Sequence, residues 1–253
     1  MKEYSLQQLL TYIDCPLKYK MQFERKLHVS ADLSSNTIIS SALADTYLKA
    51  CHLFAQGRPY SVQERTKFFS RTWTDLKEVF MSNGGEESRA HTQLITSHNK
   101  VIGMTRPVPN GWDVGVVNFP TEKIIDNYMI KDSIDVALIN KADTRYINLI
   151  FLDRSLSKES ENNFAVLLRA MFNLHYFKNE LSGTPGLKVR CSVLNLHHGY
   201  QKVLNLKPEV LSRYRHTLVD IIHSIEANLY YPRAGTNECK HCLFSNSCHF
   251  SSK

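Results

Sequence analysis

Ser133-Ile134-Asp135-Val136-Ala137-Leu138-Ile139-Asn140, a polar Lys141-Ala142-Asp143-Thr144 link, and Tyr146-Ile147-Asn148-Leu149-Ile150-Phe151-Leu152-Asp153 decide the fold class. Two apolar runs rich in β-branched residues flank a short polar turn. That pattern predicts a hairpin of two largely buried strands over 133–140 and 146–153. Each strand carries one carboxylate, Asp135 and Asp153, in otherwise apolar surroundings. On the N-terminal side, a Pro109-Asn110-Gly111 turn leads into a third strand over 111–119.

Beyond these strands the period changes from two to between three and four. Leu6, Leu9, Leu10, Ile13, Leu17 and Met21 recur at helical steps, predicting a helix over 5–24 with Ser5 as N-cap and a break at Pro16. Further helices are predicted over 36–54, 62–80, 86–102 and 163–176, a second strand pair over 188–196 and 203–206, and a long helix over 208–229 that starts on proline. The expected order is helices, three strands, helix, two strands, helix and a Cys-rich tail. This is an α/β chain with a mixed central sheet flanked by helices. It is read as one domain over 1–253, in which residues 1–105 are mainly helical, residues 106–206 form a sheet core, and residues 207–253 form a helix and a Cys-rich tail.

The 253 residues suffice for one well-buried core. Apolar runs of about four residues fall far short of the roughly 20 needed to span a bilayer, so no membrane association is expected. The first residues lack the apolar segment of a secretory signal, and the expected address is a reducing, cytoplasmic one. The chain carries a formal charge of +7, but residues 106–160 hold seven basic and eight acidic side chains. An acidic centre within a basic remainder suits a protein that attracts polyanions and keeps carboxylates for metal or catalysis.

Six cysteines are present. Cys239, Cys242 and Cys248 place three thiolates within ten residues, a spacing that lets a short loop aim sulfurs at one metal centre. Cys15 is the best fourth ligand, since Cys51 and Cys191 sit in apolar helix and strand contexts that suit small buried residues. Spacing leaves zinc, with His241 or His249 as a further ligand, and an iron–sulfur cluster both open.

The stretch Ser5-Leu6-Gln7-Gln8-Leu9-Leu10-Thr11-Tyr12-Ile13-Asp14-Cys15-Pro16-Leu17-Lys18-Tyr19 resembles the opening signature of RecB-like PD-(D/E)XK nucleases with an iron–sulfur staple, such as the CRISPR-associated RecB-like exonucleases and the C-terminal nuclease domain of AddB. Tyr231-Pro232-Arg233 with Cys239, Cys242 and Cys248 resembles their closing signature. The resemblance covers nearly the whole chain. It implies a restriction-endonuclease-like core and a [4Fe–4S] cluster on Cys15, Cys239, Cys242 and Cys248 that joins the two ends of the chain. It also implies an active site of His, acidic residues and Lys that binds Mg²⁺ or Mn²⁺ and activates water.

Carried over residue by residue, that active site is incomplete. Ala44 stands where the family has His, Asn118 where it has the first-strand acid, and Ser155 where it has Lys. Only Asn162 or Asn163 matches the family's helix Gln. Asp135 and Asp153 remain, as a remnant that could hold one weak Mg²⁺. The expectation is a degenerate, catalytically inactive nuclease fold that binds nucleic acid, DNA in the first place, or acts as a scaffold in a DNA-processing machine. Lys18, Lys20, Arg25, Lys26, Arg213 and Arg215 are the candidate phosphate contacts, and Tyr12, Tyr19 and Tyr200 candidate base-stacking residues. Two alternatives stay open. One is an active metal-dependent deoxyribonuclease, exonuclease or endonuclease, in which Lys141 or Arg154 takes the Lys role. The other is a protein–protein subunit of a larger replication, recombination or transcription complex.

Overall fold

The structure, a computed structural model, describes residues 1–26, 35–58, 60–61, 63–64, 66–68, 70–72, 74, 77, 91–92, 95–96, 108–153, 164–180, 184–196, 198–206, 208–232, 239, 242, 244 and 248. The chain divides into two compact units. One comprises Met1–Asp32, Glu122–Asp132 and Leu206–Lys253, so both ends of the chain share it; the other comprises Leu33–Thr121 and Ser133–Asn205.

The first unit opens on strand β1 (Lys2–Ser5), which sequence periodicity did not foretell. β1 runs parallel to Tyr128–Lys131. Ser5 then caps helix α1 (Leu6–Asp14): its Oγ accepts from the Gln8 N–H at 3.1 Å, and Gln8 Oε1 accepts from the Ser5 N–H at 2.7 Å. Two orphan N–H groups of the first turn are satisfied reciprocally. The helix buries Leu6, Leu9 and Leu10 and stops at Cys15, which is extended because the following proline excludes the helical region there. Pro16 opens the short helix α2 (Pro16–Tyr19), and one π-helical turn follows over Lys20–Glu24. The predicted break at Pro16 is therefore two helices. Helix α5 (Pro208–Glu226) buries Leu218, Ile222 and Ile225. Tyr12 Oη donates to the Leu229 carbonyl just beyond it at 2.6 Å, and the Tyr19 ring stacks on Tyr230 at 6.2 Å.

The second unit carries a sheet between two helices, and the hairpin end over Glu122–Asp132 belongs to the first unit. Strands β2 (Trp112–Ile125) and β3 (Tyr128–Asn140) are paired and longer than predicted, because a turn at Asp126 (φ 54°) joins them. Asp and Asn tolerate that left-handed conformation, and the Asp126-Asn127 pair is the overlooked hairpin signal. Gly115 leaves room for Ile139, whose Cδ1 would lie 2.8 Å from a Cβ added there. β3 is antiparallel to β4 (Tyr146–Asp153), β4 parallel to β5 (Lys188–Asn195), and β5 antiparallel to β6 (Tyr200–Val203). β6 starts three residues earlier than predicted. Gly199 (φ 66°) donates to Asn195 O at 2.8 Å and closes the turn at once.

Helix α3 (Ser35–Ala55) lays Leu43, Ala44, Tyr47, Ala50 and Cys51 in one core with Val136, Leu138, Ile150, Leu152 and Leu194. Helix α4 (Phe164–Glu180) buries Leu168, Ala170, Met171 and Phe172, and Cys191 Sγ meets its Ala170 carbonyl at 3.8 Å. The described residues within 62–80 and 86–102 are helical; the rest of those two predicted helices lies outside the described residues. Among the described residues no helix is long and apolar enough to cross a membrane.

Candidate functional site

Asp135 and Asp153 lie on the same face of the second unit's sheet. Val136 pairs with Ile150, so Asp135 falls opposite Phe151, and alternation along β4 puts Asp153 on the Phe151 side. The ladder between β3 and β4 ends at this point. The Leu152 N–H, no longer donating across the ladder, donates to Asp135 Oδ2 at 2.7 Å. Both carboxylates are buried, with Asp135 9% and Asp153 5% exposed.

Neither acid is bare. Arg169, from α4, reaches Asp135 with both arms: Nη1 to Oδ2 at 2.8 Å and Nη2 to Oδ1 at 3.0 Å. Nη2 also donates to the Ser133 carbonyl at 2.7 Å, and the guanidinium carbon sits 5.3 Å from the centre of the Phe151 ring. Asn173, one turn along α4, donates to the Arg169 carbonyl and accepts from Thr121 Oγ1 at 2.7 Å, which anchors the helix to β2. Asp153 Oδ2 accepts from Asn195 Nδ2 at 3.2 Å, and the Asp153 carbonyl accepts from the Leu196 N–H. Burial, then Cys51, then the Asp135 charge hold the Tyr47 hydroxyl well above the usual tyrosine range. This arrangement is a closed polar network, in which the two-pronged contact is the strong element.

The two carboxylates do not fit a divalent cation here. Mg²⁺ takes oxygen ligands at about 2.1 Å in near-octahedral array with several waters. Three donors already occupy Asp135, and both of its oxygens are engaged. Arg169 is the residue the sequence reading missed. The signal was a lone charge inside the apolar run Val166-Leu167-Leu168-Arg169-Ala170-Met171-Phe172. Such a charge, when buried, must be paired.

The positions matching the family's other catalytic residues are spread out. Ala44 is fully buried in the core. Asn118 sits in β2 at φ 52° and borders an open pocket of about 310 Å³ with Asp45, Leu48, Lys49, His52 and Val117. Lys141 cannot act as a substitute Lys. It follows the far end of β3, six residues and so about 20 Å from Asp135, and it pairs with Asp113 at 2.9 Å. Arg154, Ser155, Asn162 and Asn163 lie outside the described residues.

In the first unit, Cys15, Cys239, Cys242 and Cys248 are half-buried and not joined in disulfides. Cys242 donates its N–H to the Cys239 carbonyl at 3.3 Å. Phe244, between the last two, is buried. The donor set suits a soft metal, and both chain ends share the unit. Among the described residues, however, no three His, Cys, Asp or Glu side chains form a metal-binding group. His241 and His249 lie outside the described residues.

The six basic candidates all belong to this unit. Arg25, Lys26, Arg213 and Arg215 are exposed, and Lys18 and Lys20 are half-buried. Lys20 Nζ lies 4.7 Å from the centre of the Tyr230 ring. Tyr12 and Tyr19, each 5% exposed, are packing residues and not a base-stacking platform. Burial pushes the Tyr19 hydroxyl up to about 12. Tyr200 is half-buried in the other unit and stacks on His198 at 6.4 Å.

No protein-family model matches this chain, and no curated protein does. Among solved structures, the crystal structure of SSO0001 aligns with 100% of this chain and 89% of its own at 14% identity, with a TM-score of 0.45. The crystal structure of a candidate exonuclease from Eubacterium rectale aligns with 95% of this chain and 88% of its own at 9% identity, with a TM-score of 0.51. The mixed sheet with helices on its faces is a fold that this chain shares with the Eubacterium rectale structure.

Proposed function

We propose that this chain is a nucleic-acid-binding or scaffolding module, built on a nuclease-like fold of the RecB-like PD-(D/E)XK type, that has lost phosphodiester cleavage. The observation that carries the reading is the two-pronged grip of Arg169 on Asp135, at 2.8 and 3.0 Å. A carboxylate held this way is not offered to a metal, and without the metal nothing generates hydroxide or polarises the phosphate. Ser155 and Ala44 in place of the family's Lys and His support the same reading.

Binding rests on charge. Exposed Arg25, Lys26, Arg213 and Arg215, with Lys18 and Lys20 beside them in sequence, would grip phosphates in a sequence-independent way. A [4Fe–4S] cluster on Cys15, Cys239, Cys242 and Cys248 would staple the two chain ends. Four half-buried cysteines outside disulfides, all in one unit, support it. When bound, the cluster supplies a structural cross-link.

The deciding experiment incubates labelled single- and double-stranded DNA with the protein and Mg²⁺ or Mn²⁺, and measures cleavage beside binding at rising salt. Binding that weakens steeply with salt, without cleavage, is the expected result. Cleavage abolished by Asp153→Ala would overturn it. Iron at about four atoms per chain supports the cluster, whereas stoichiometric zinc in colourless protein excludes it.

A further inference from the structure

A buried carboxylate in a metal-dependent nuclease is kept charged by its cation. Here the neighbouring cation belongs to the chain itself. Arg169 touches both oxygens of Asp135, is pinned by the Ser133 carbonyl and the Phe151 ring, and leaves about one of the four lone-pair sites of the carboxylate free once the Leu152 N–H is counted. We propose that the Arg169 guanidinium replaces a divalent cation in this sheet: it neutralises Asp135 permanently and excludes Mg²⁺ and Mn²⁺ from it. The proposal rests on the reading of a silenced site and names what silences it.

Three features support replacement over a casual ion pair. The guanidinium meets the carboxylate fork to fork, the geometry of a fixed contact. It approaches on the Phe151 side of the sheet, which Asp153 shares, so one planar cation stands on the face where two acids gather. Its own helix is tethered through Asn173 to Thr121 of β2, so the arm is held in position and does not swing in solvent. A dication arriving at Asp135 would meet a positive charge already bonded to both oxygens, and must lose water to enter.

The test is a Mn²⁺ titration of the full chain, read by the electron-spin resonance of the free ion. It compares wild type, Asp135→Asn, Arg169→Met and the double variant Arg169→Met/Asp135→Asn. Wild type and Asp135→Asn should bind Mn²⁺ alike. Arg169→Met should gain one Mn²⁺ site per chain that the wild type lacks, and the double variant should lose it again. Arg169→Gln, which keeps amide donors without the charge, serves if circular dichroism shows Arg169→Met to be unfolded. Wild-type Mn²⁺ binding that Asp135→Asn removes would overturn the proposal. So would a folded Arg169 variant that binds no more Mn²⁺ than wild type. DNA cleavage by a wild type whose Mn²⁺ binding ignores Asp135 would defeat the silent-module reading and leave this one standing.

Discussion

Truncating Asp135 to alanine tests how much the buried pair matters to folding. The Asp135 side chain is 13% and the Arg169 side chain 19% exposed, so both charges are largely removed from water. In Asp135→Ala the guanidinium loses both of its bonds to the carboxylate, and the Leu152 N–H loses its acceptor. Removing one partner of a buried pair costs about 3–5 kcal/mol. The residual exposure of Arg169 argues for the lower end, about 3 kcal/mol, and the orphaned Leu152 N–H adds about 1 kcal/mol. At a urea m-value of about 2–3 kcal/mol/M, the midpoint should fall by roughly 1.5 M. The double variant Asp135→Leu/Arg169→Met replaces both charges by apolar groups and should recover at least about 2 kcal/mol relative to the sum of the single changes. Urea unfolding followed by circular dichroism measures the single and double variants alike. A shift below about 0.5 M in Asp135→Ala, or strictly additive single and double changes, would refute the claim that these residues act as one neutralised unit.

Two further outcomes concern titrating groups. Burial pushes the Cys51 thiol up to about 12, so in native protein at pH 8 it should resist iodoacetamide and react only in urea; mass spectrometry of the labelled peptides decides. Because that folded value lies above the unfolded one, Cys51 also costs stability as pH rises past the ordinary thiol range, and Cys51→Ala should flatten the alkaline limb. Glu226 behaves in the opposite sense: the Lys2 ammonium at 2.7 Å and the Tyr128 hydroxyl at 2.8 Å hold its carboxyl below the usual range. Its contribution is present above the ordinary glutamate value and is lost as pH falls through the lower folded one. Glu226→Gln should therefore lower stability near neutral pH and weaken its acid dependence between about pH 5 and 3; equal acid limbs for wild type and variant would contradict this.

Local signals in the sequence carried the frame well. The hairpin residues announced themselves because the strands are buried on both faces, so nearly every position between Ile147 and Leu152 is apolar. Pro16 set the helix break through its own ring geometry. β1 was invisible for a physical reason. Its four residues, half exposed, owe their strand conformation to the pairing of Lys2 with Tyr128 and Ser5 with Lys131, contacts more than 120 positions apart that no local window contains.

The same distance effect explains why the candidate site was only half legible. Asp135 and Asp153 could be found by matching a strand pattern, since each sits in an apolar run. Their partners could not, because Arg169 and Asn195 come from elements 34 and 42 residues away. Counting acids alone leaves two carboxylates and invites a metal. Counting their hydrogen bonds leaves neither oxygen of Asp135 uncommitted. A buried carboxylate requires a positive neighbour or a proton, and which of metal, proton or side chain supplies the compensation determines whether the site can cut. Here a side chain supplies it, and on the reading proposed above the loss of cleavage owes as much to the grip of Arg169 on Asp135 as to the absence of Lys at position 155.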